Sequence, residues 1–269
     1  MEAFFLPAAG GQRFCLLHRP PVAQAVRAAL VYLHPFGEEM NNSRRIVAAQ
    51  ARSFATAGFA VLQIDLYGCG DSSGDFGEVS WADWRADVHL ACACLQQEFK
   101  VPLWLWGLRA GALLAAEVAA GRDDVAALLL WQPVWNGEQL LRQLLRLKLA
   151  AGVLGGDAGQ SAKVLRQQLA AGHALEIAGY PLMPVFAAEL EALRWPEGMA
   201  PCKIACLELA AGDASALSPV FAGQQQAWLA AGHAVRVELV ASPAFWQTPG
   251  VSVGPGLNEA SRAALEWLA

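Results

Sequence analysis

Short apolar runs alternate with longer stretches of helical period along most of the chain. Arg13 to Pro20 (RFCLLHRP) reads as a strand, and Ala28 to Gly37 (AALVYLHPFG) as a buried strand closed by a Pro/Gly loop. Ser43 to Gly58 then carries helical periodicity and a glycine stop. Phe59 to Gly68 is the next strand, and Ser80 to Phe99 a long helix with Ser80 as N-cap and Asp83 three residues on. Val101 to Gly107, Ala110 to Gly121 and Val125 to Val134 read strand, helix, strand. The same alternation resumes at Cys202 to Gly212 and runs through Pro219 to Gly232, His233 to Ser242 and Gly256 to Ala269. Such alternation predicts an α/β fold whose mostly parallel sheet has helices on both faces, with early hairpin-like strands antiparallel to the rest.

The pattern changes between Asn136 and Ala200. Three segments there read as helices, beginning at Glu138, Ser161 and Tyr180, with Gly/Asp-rich or Pro-rich breaks between them. The expected organisation is a core of residues 1–135 and 201–269, with an all-helical cap of residues 136–200 inserted between two sheet strands.

Composition narrows the function classes. With 269 residues, 55% hydrophobic and 16% charged, the chain is suited to a large buried core. A net charge of -5 and scattered Lys and Arg give no footprint for nucleic acid. The one basic amphipathic stretch, Leu140 to Ala150, reads as a lid helix with its cations in solvent. The N-terminal stretch does not read as a signal peptide, and no apolar run is long enough to span a bilayer. Six cysteines show no CxxC pair and no zinc spacing, so reduced thiols in a cytoplasmic protein are expected. Asp65, Asp71 and Asp75 are read as loop packing and turn capping, and neither metal nor cofactor is expected.

One turn carries the chemical question. Trp104 to Glu117 (WLWGLRAGALLAAE) has the strand–turn–helix layout of the G-x-S-x-G nucleophile elbow, with arginine in the central place. Two other stretches accompany it: HPFGEE from His34, in the place of an oxyanion loop, and DLYGCGDSSG from Asp65. Together, in this order and on these elements, the three resemble the α/β-hydrolase superfamily. The stretches HPFGEEMNNSRR, DLYGCGDSSGDF, GLRAGALLA and AGYPLMP further resemble the exosortase A system-associated hydrolase 2 group. That resemblance implies a bacterial exosortase and exopolysaccharide setting, a hydrolase of a small ester, thioester or amide, and a partner protein in that system.

Acyl transfer needs a nucleophile, a base, a group that orients the base, and oxyanion donors. Arg109 cannot be the nucleophile, because its guanidinium stays protonated. The loop after the last strand, Ala241 to Gly256, has no histidine; Phe245 and Trp246 stand about where one is needed. Among the five histidines only His34 is expected near the elbow, bracing the oxyanion loop through a backbone hydrogen bond. Asp213 stands in the place of a triad carboxylate, with a solvated turn aspartate as the equal alternative.

Backbone N–H groups of Phe36, Gly37 and Ala110 are expected to converge at the helix N-terminus as oxyanion-type donors. Arg109 either makes this an anion pocket or is neutralised by Glu38, Glu39 or Asp213, the pairing being favoured. Glu38 or Glu39 faces the cavity, where a carboxylate can activate water. Asn42 or Ser43 is expected to cap the helix that follows. Trp135 and Trp246 are expected to line an apolar pocket under the cap, fit for an acyl or aromatic group. Three readings follow: a hydrolase with substituted chemistry, a non-catalytic binder of an acyl or anionic small molecule, and an interaction scaffold.

Overall fold

The most apolar runs form the centre of one eight-stranded sheet. In a computed structural model, which describes residues 1–154, 161–212 and 215–269, its strands lie in the order β1-β2-β4-β3-β5-β6-β9-β10. They are β1 (Glu2–Ala8), β2 (Gly11–His18), β3 (Ala28–Leu33), β4 (Phe59–Ile64), β5 (Leu103–Leu108), β6 (Val125–Trp131), β9 (Lys203–Ala210) and β10 (Ala234–Ala241). β1 pairs antiparallel with β2, and β2 antiparallel with β4; every other pairing is parallel. The helices are α1 (Glu38–Thr56), α2 (Trp81–Glu98), α3 (Ala110–Ala120), α7 (Pro219–Ala230) and α8 (Pro255–Leu268), with α4, α5 and α6 between β6 and β9.

Strand period two divides the core. Ala29, Val31 and Leu33 of β3 face a cluster with α2 and α3. Ala28, Leu30 and Tyr32 face the other cluster, with Phe54 of α1 and Leu265 of α8. Because both faces are covered, β3 and β5 are buried at every position. Each fully buried aliphatic side chain contributes about 1.5–3 kcal/mol of transfer free energy. The tryptophans of β5 and β6 belong to this core: Trp106 packs against Tyr32, Phe54 and Trp131.

Three expectations change. Helix α1 begins at Glu38 rather than Ser43, because Gly37 (φ 60°) turns the chain directly out of the β3 loop. Its first turn carries Glu38 and Glu39, where acidic side chains complement the helix dipole. Asn42 and Ser43 therefore do not cap it. The Ser43 hydroxyl donates to Met40 O inside the helix, and Asn42 Nδ2 donates to Trp246 O.

The second change is in the segment between β6 and β9. It contains α4 (Gly137–Leu154), α5 (Ala162–Ala170) and α6 (Pro184–Ala192), but also a hairpin of β7 (Leu175–Ile177) and β8 (Tyr180–Leu182). Ala178 and Gly179 both take positive φ, 49° and 83°, the conformation a two-residue hairpin turn demands. Pro184 at the first helical position delays α6, so Tyr180 to Leu182 is strand, not helix. Thirdly, β1 forms a full antiparallel pair with β2, where the sequence pattern defined only the second of the two.

Two local readings are met. Ser80 caps α2: its hydroxyl accepts from Asp83 N while Asp83 accepts from Ser80 N. Asp65 packs its loop, accepting from Arg44 Nη2 at 2.9 Å and Asp71 N at 3.0 Å.

Candidate functional site at the β5–α3 turn

β5 delivers the chain into Arg109, which holds φ 55° and ψ −116°, and α3 starts at the next residue. A side chain in this region of φ is strained, so the surrounding packing must fix it. The packing is tight. A Cβ on Gly111 would lie 2.1 Å from Leu33 O, and one on Gly107 would lie 2.4 Å from the Ala112 Cα. Glycine at these two positions lets β3, β5 and α3 meet backbone to backbone. The Arg109 N–H donates to Trp131 O, pinning the turn to β6.

The Arg109 side chain is closed in, with the residue 4% exposed. Its Nε donates to both Glu39 oxygens at 3.3 Å, and Nη2 donates to Glu39 Oε1 at 3.2 Å. Nη2 also donates to Gln143 Oε1 at 2.6 Å, and the guanidinium carbon lies 5.3 Å from the Trp246 ring centre. Burial pushes the Glu39 carboxyl above its ordinary value, and the Arg109 charge and hydrogen bonds pull it back. The arginine thus has its counter-ion inside the protein. Of the two described carboxylates weighed from sequence, Glu38 and Glu39, it is Glu39 that pairs with Arg109. Glu38 lies one residue away, on the wall of a cavity. Asp213 falls outside the described residues.

His34 is buried, with both ring nitrogens engaged: Nδ1 donates to Pro35 O at 2.6 Å, and Nε2 accepts from Leu66 N at 3.1 Å. That pair of bonds fixes the neutral tautomer and leaves no lone pair for a substrate. Burial lowers its pKa from the ordinary 6.5, against the opposing charge of Asp65. The sign for stability follows. Above about pH 6.5 the contribution of His34 is intact; as pH falls, the unfolded chain takes a proton that the folded chain refuses. Stability is lost as pH falls towards the lowered folded-state value. Urea unfolding midpoints are expected to drop less on acidification in His34→Gln than in the parent protein.

The remaining histidines lie away from the turn: His18 ends β2, His89 is in α2, His173 follows α5, and His233 precedes β10. Cys202 Sγ approaches His233 Nδ1 at 3.7 Å, but burial pushes that thiol up to about 11. It is not a ready thiolate. Among the described residues no group of three or more His, Cys, Asp or Glu is placed to hold a metal ion.

Above the Arg109–Glu39 pair lies a cavity of about 750 Å³. Phe36, Phe76, Leu144, Ile177, Leu182 and Trp246 supply its apolar wall, and Gly37, Glu38, Glu39 and Gln143 its polar part. Of the donors expected from sequence, Phe36 and Gly37 line this cavity just before α1, while Ala110 opens α3 and is buried outside the lining. Trp246 forms part of the wall. Phe245 does not: it is fully buried against Trp131 and Trp246, since the loop turns it into the core. Trp135 does not line this cavity either. It faces a separate aromatic cluster with Trp195, Phe221 and Trp228, because it packs against α7, which carries the last two.

Nothing in the motif pattern points to Gln143, Gln132 or Glu208. Gln143 closes over Arg109 from α4, and no local pattern marks such a contact. Gln132 has φ 42° and accepts from Leu209 N at 2.6 Å. Glu208 carries a legible signal: it is the one charge within Ile204–Leu209, the buried run of β9.

The family described as serine aminopeptidase, S33 matches residues 24–169. A search of curated proteins returned no match. Solved structures are similar in fold at low identity. Est1E from Butyrivibrio proteoclasticus with ferulic acid bound is 15% identical, with TM-score 0.67 over 98% of this chain and 97% of that one. A putative hydrolase from Agrobacterium vitis S4 is 18% identical, with TM-score 0.64 over 100% and 99%. A thermostable carboxyl esterase from Bacillus coagulans is 17% identical, with TM-score 0.58 over 99% and 95%. The strand order, the β5–α3 turn and the family match agree: this chain belongs to the serine aminopeptidase S33 family and has the α/β-hydrolase fold.

Proposed function

We propose that this protein binds an acyl ligand and does not cleave esters by serine chemistry. The observation that carries this reading is the elbow residue. Arg109 keeps the strained elbow conformation but cannot attack a carbonyl, and Glu39 neutralises it below the cavity floor. The loop after β10 offers Trp246 and no histidine, and Asp213 alone does not make a triad. What remains is a largely apolar chamber under a cap of residues 136–200, with Glu38, Glu39 and Gln143 at its polar end. An acyl chain with a small polar head matches that wall. The resemblance to the exosortase-associated group would place the ligand, and a partner protein, in cytoplasmic steps of exopolysaccharide processing.

A second reading has one observation behind it. Glu38 lines the cavity and is placed to activate a water. Two measurements separate the two readings. A fluorescent fatty-acid probe is expected to bind saturably, and Leu144→Trp, which fills the cavity, is expected to weaken it about tenfold. A panel of esters and thioesters is expected to show no turnover. Turnover that disappears in Glu38→Gln would establish the hydrolase instead, and a probe that never saturates would remove the binder.

A further inference from the structure

A second cavity of about 550 Å³ opens on the other side of α4, where Arg109 itself forms part of the lining. Nε and Nη2 of this arginine are used by Glu39 and Gln143, while Nη1 makes no hydrogen bond among the described residues. A buried cation therefore presents one unused donor to this space. Arg142 and Arg146, one turn apart on α4, add two guanidinium groups at the mouth. Arg142 is only loosely engaged, 3.8 Å from Glu138, and Arg146 makes no ion pair among the described residues.

The opposite wall has different chemistry. Glu208, 7% exposed, uses Oε2 to accept from Ser218 N at 2.8 Å. Its carboxylate repels a bare anion but accepts from a hydroxyl group. Gln132 spends its amide oxygen on Leu209 N, which leaves its NH₂ as a donor. Trp135 and Phe221 pack edge to face, 5.1 Å between centres, and both border the cavity. Aromatic faces of this kind suit an apolar ring face on an otherwise polar ligand.

We infer that this cavity is a binding site for a hydroxylated carboxylate, the chemistry of a sugar acid. The arginines take the carboxylate, Glu208 and Gln132 take hydroxyl groups, and Trp135 and Phe221 take the C–H face of the ring. Gln143 and Arg146 border both cavities, while Arg109, Gln132, Trp135, Arg142, Glu208 and Phe221 line this one alone, so the inference does not depend on the acyl site.

Calorimetry with glucuronate, glucose and hexanoate tests it. Glucuronate is expected to bind, and glucose and hexanoate to bind at least about tenfold more weakly. Arg142→Ala and Trp135→Leu are each expected to weaken glucuronate about tenfold. Arg142 is exposed, so its variant remains informative if loss of Trp135 disturbs folding. Glucuronate is also expected to leave a bound fluorescent fatty acid in place. Absence of glucuronate binding at millimolar concentration, equal binding of all three compounds, or unchanged affinity in Arg142→Ala would overturn the inference. Displacement of the fatty acid by glucuronate would do so too, since it would put both in one chamber.

Discussion

Glu39→Leu is expected to destabilise the fold by about 3 kcal/mol, measured by urea unfolding at neutral pH. The variant strands Arg109 with a buried charge, and guanidinium cannot give up its proton. The lower end of the usual range applies because the Glu39 side chain keeps 20% exposure. Arg109→Leu is expected to cost less, since an unpaired Glu39 can take up a proton, toward which burial already drives it. Its deficit therefore shrinks as pH falls. The double variant Glu39→Leu/Arg109→Leu is expected to recover to within about 1 kcal/mol of the parent. A double variant as unstable as Glu39→Leu alone would mean that the guanidinium holds the turn through Gln143 and Trp246, not through the ion pair.

Gly111→Ala is the second large effect, at about 3 kcal/mol or more. The new Cβ would meet Leu33 O at 2.1 Å and His34 O at 2.9 Å, both backbone atoms that cannot swing aside. α3 must shift away from β3, and with it the turn that holds Arg109. Gly121→Ala is the control. Its nearest neighbour would be Val118 O at 3.8 Å, and its φ of −97° suits alanine. A thermal midpoint unchanged in Gly111→Ala would show that β3 and α3 are not in fixed contact there.

The sheet was legible because both its faces are covered. Continuous apolar runs such as Ala28 to Leu33 and Leu103 to Leu108 leave little choice but buried parallel strands. The turn at Arg109 was legible because glycine flanks it at the two places where backbones touch. The partner of Arg109 was only half legible. Sequence placed Glu38, Glu39 and Asp213 near it, but a choice among neighbours depends on the direction in which α1 begins. That direction follows from the backbone turn at Gly37, with φ 60° and ψ −141°. Gln143 was illegible for a further reason: it lies 34 residues on, in a helix whose docking depends on tertiary packing rather than on local pattern. The β7–β8 hairpin was missed because Tyr180 to Leu182 is short and apolar, and such runs fit either helix or strand until the Ala178–Gly179 turn is considered.

The root of the segment between β6 and β9 has a mechanical consequence. Asn136 pairs with Arg194 in an antiparallel bridge, and Gly137 N donates to Leu193 O. At Gly137 a Cβ would lie 1.7 Å from Leu190 O, so the two ends of the segment are in backbone contact where they leave the core. A lever clamped at its fulcrum cannot swing as one piece. Any widening of the chamber mouth has to come from bending further out, along α4 or at the hairpin tip, while the stitched base stays with the sheet.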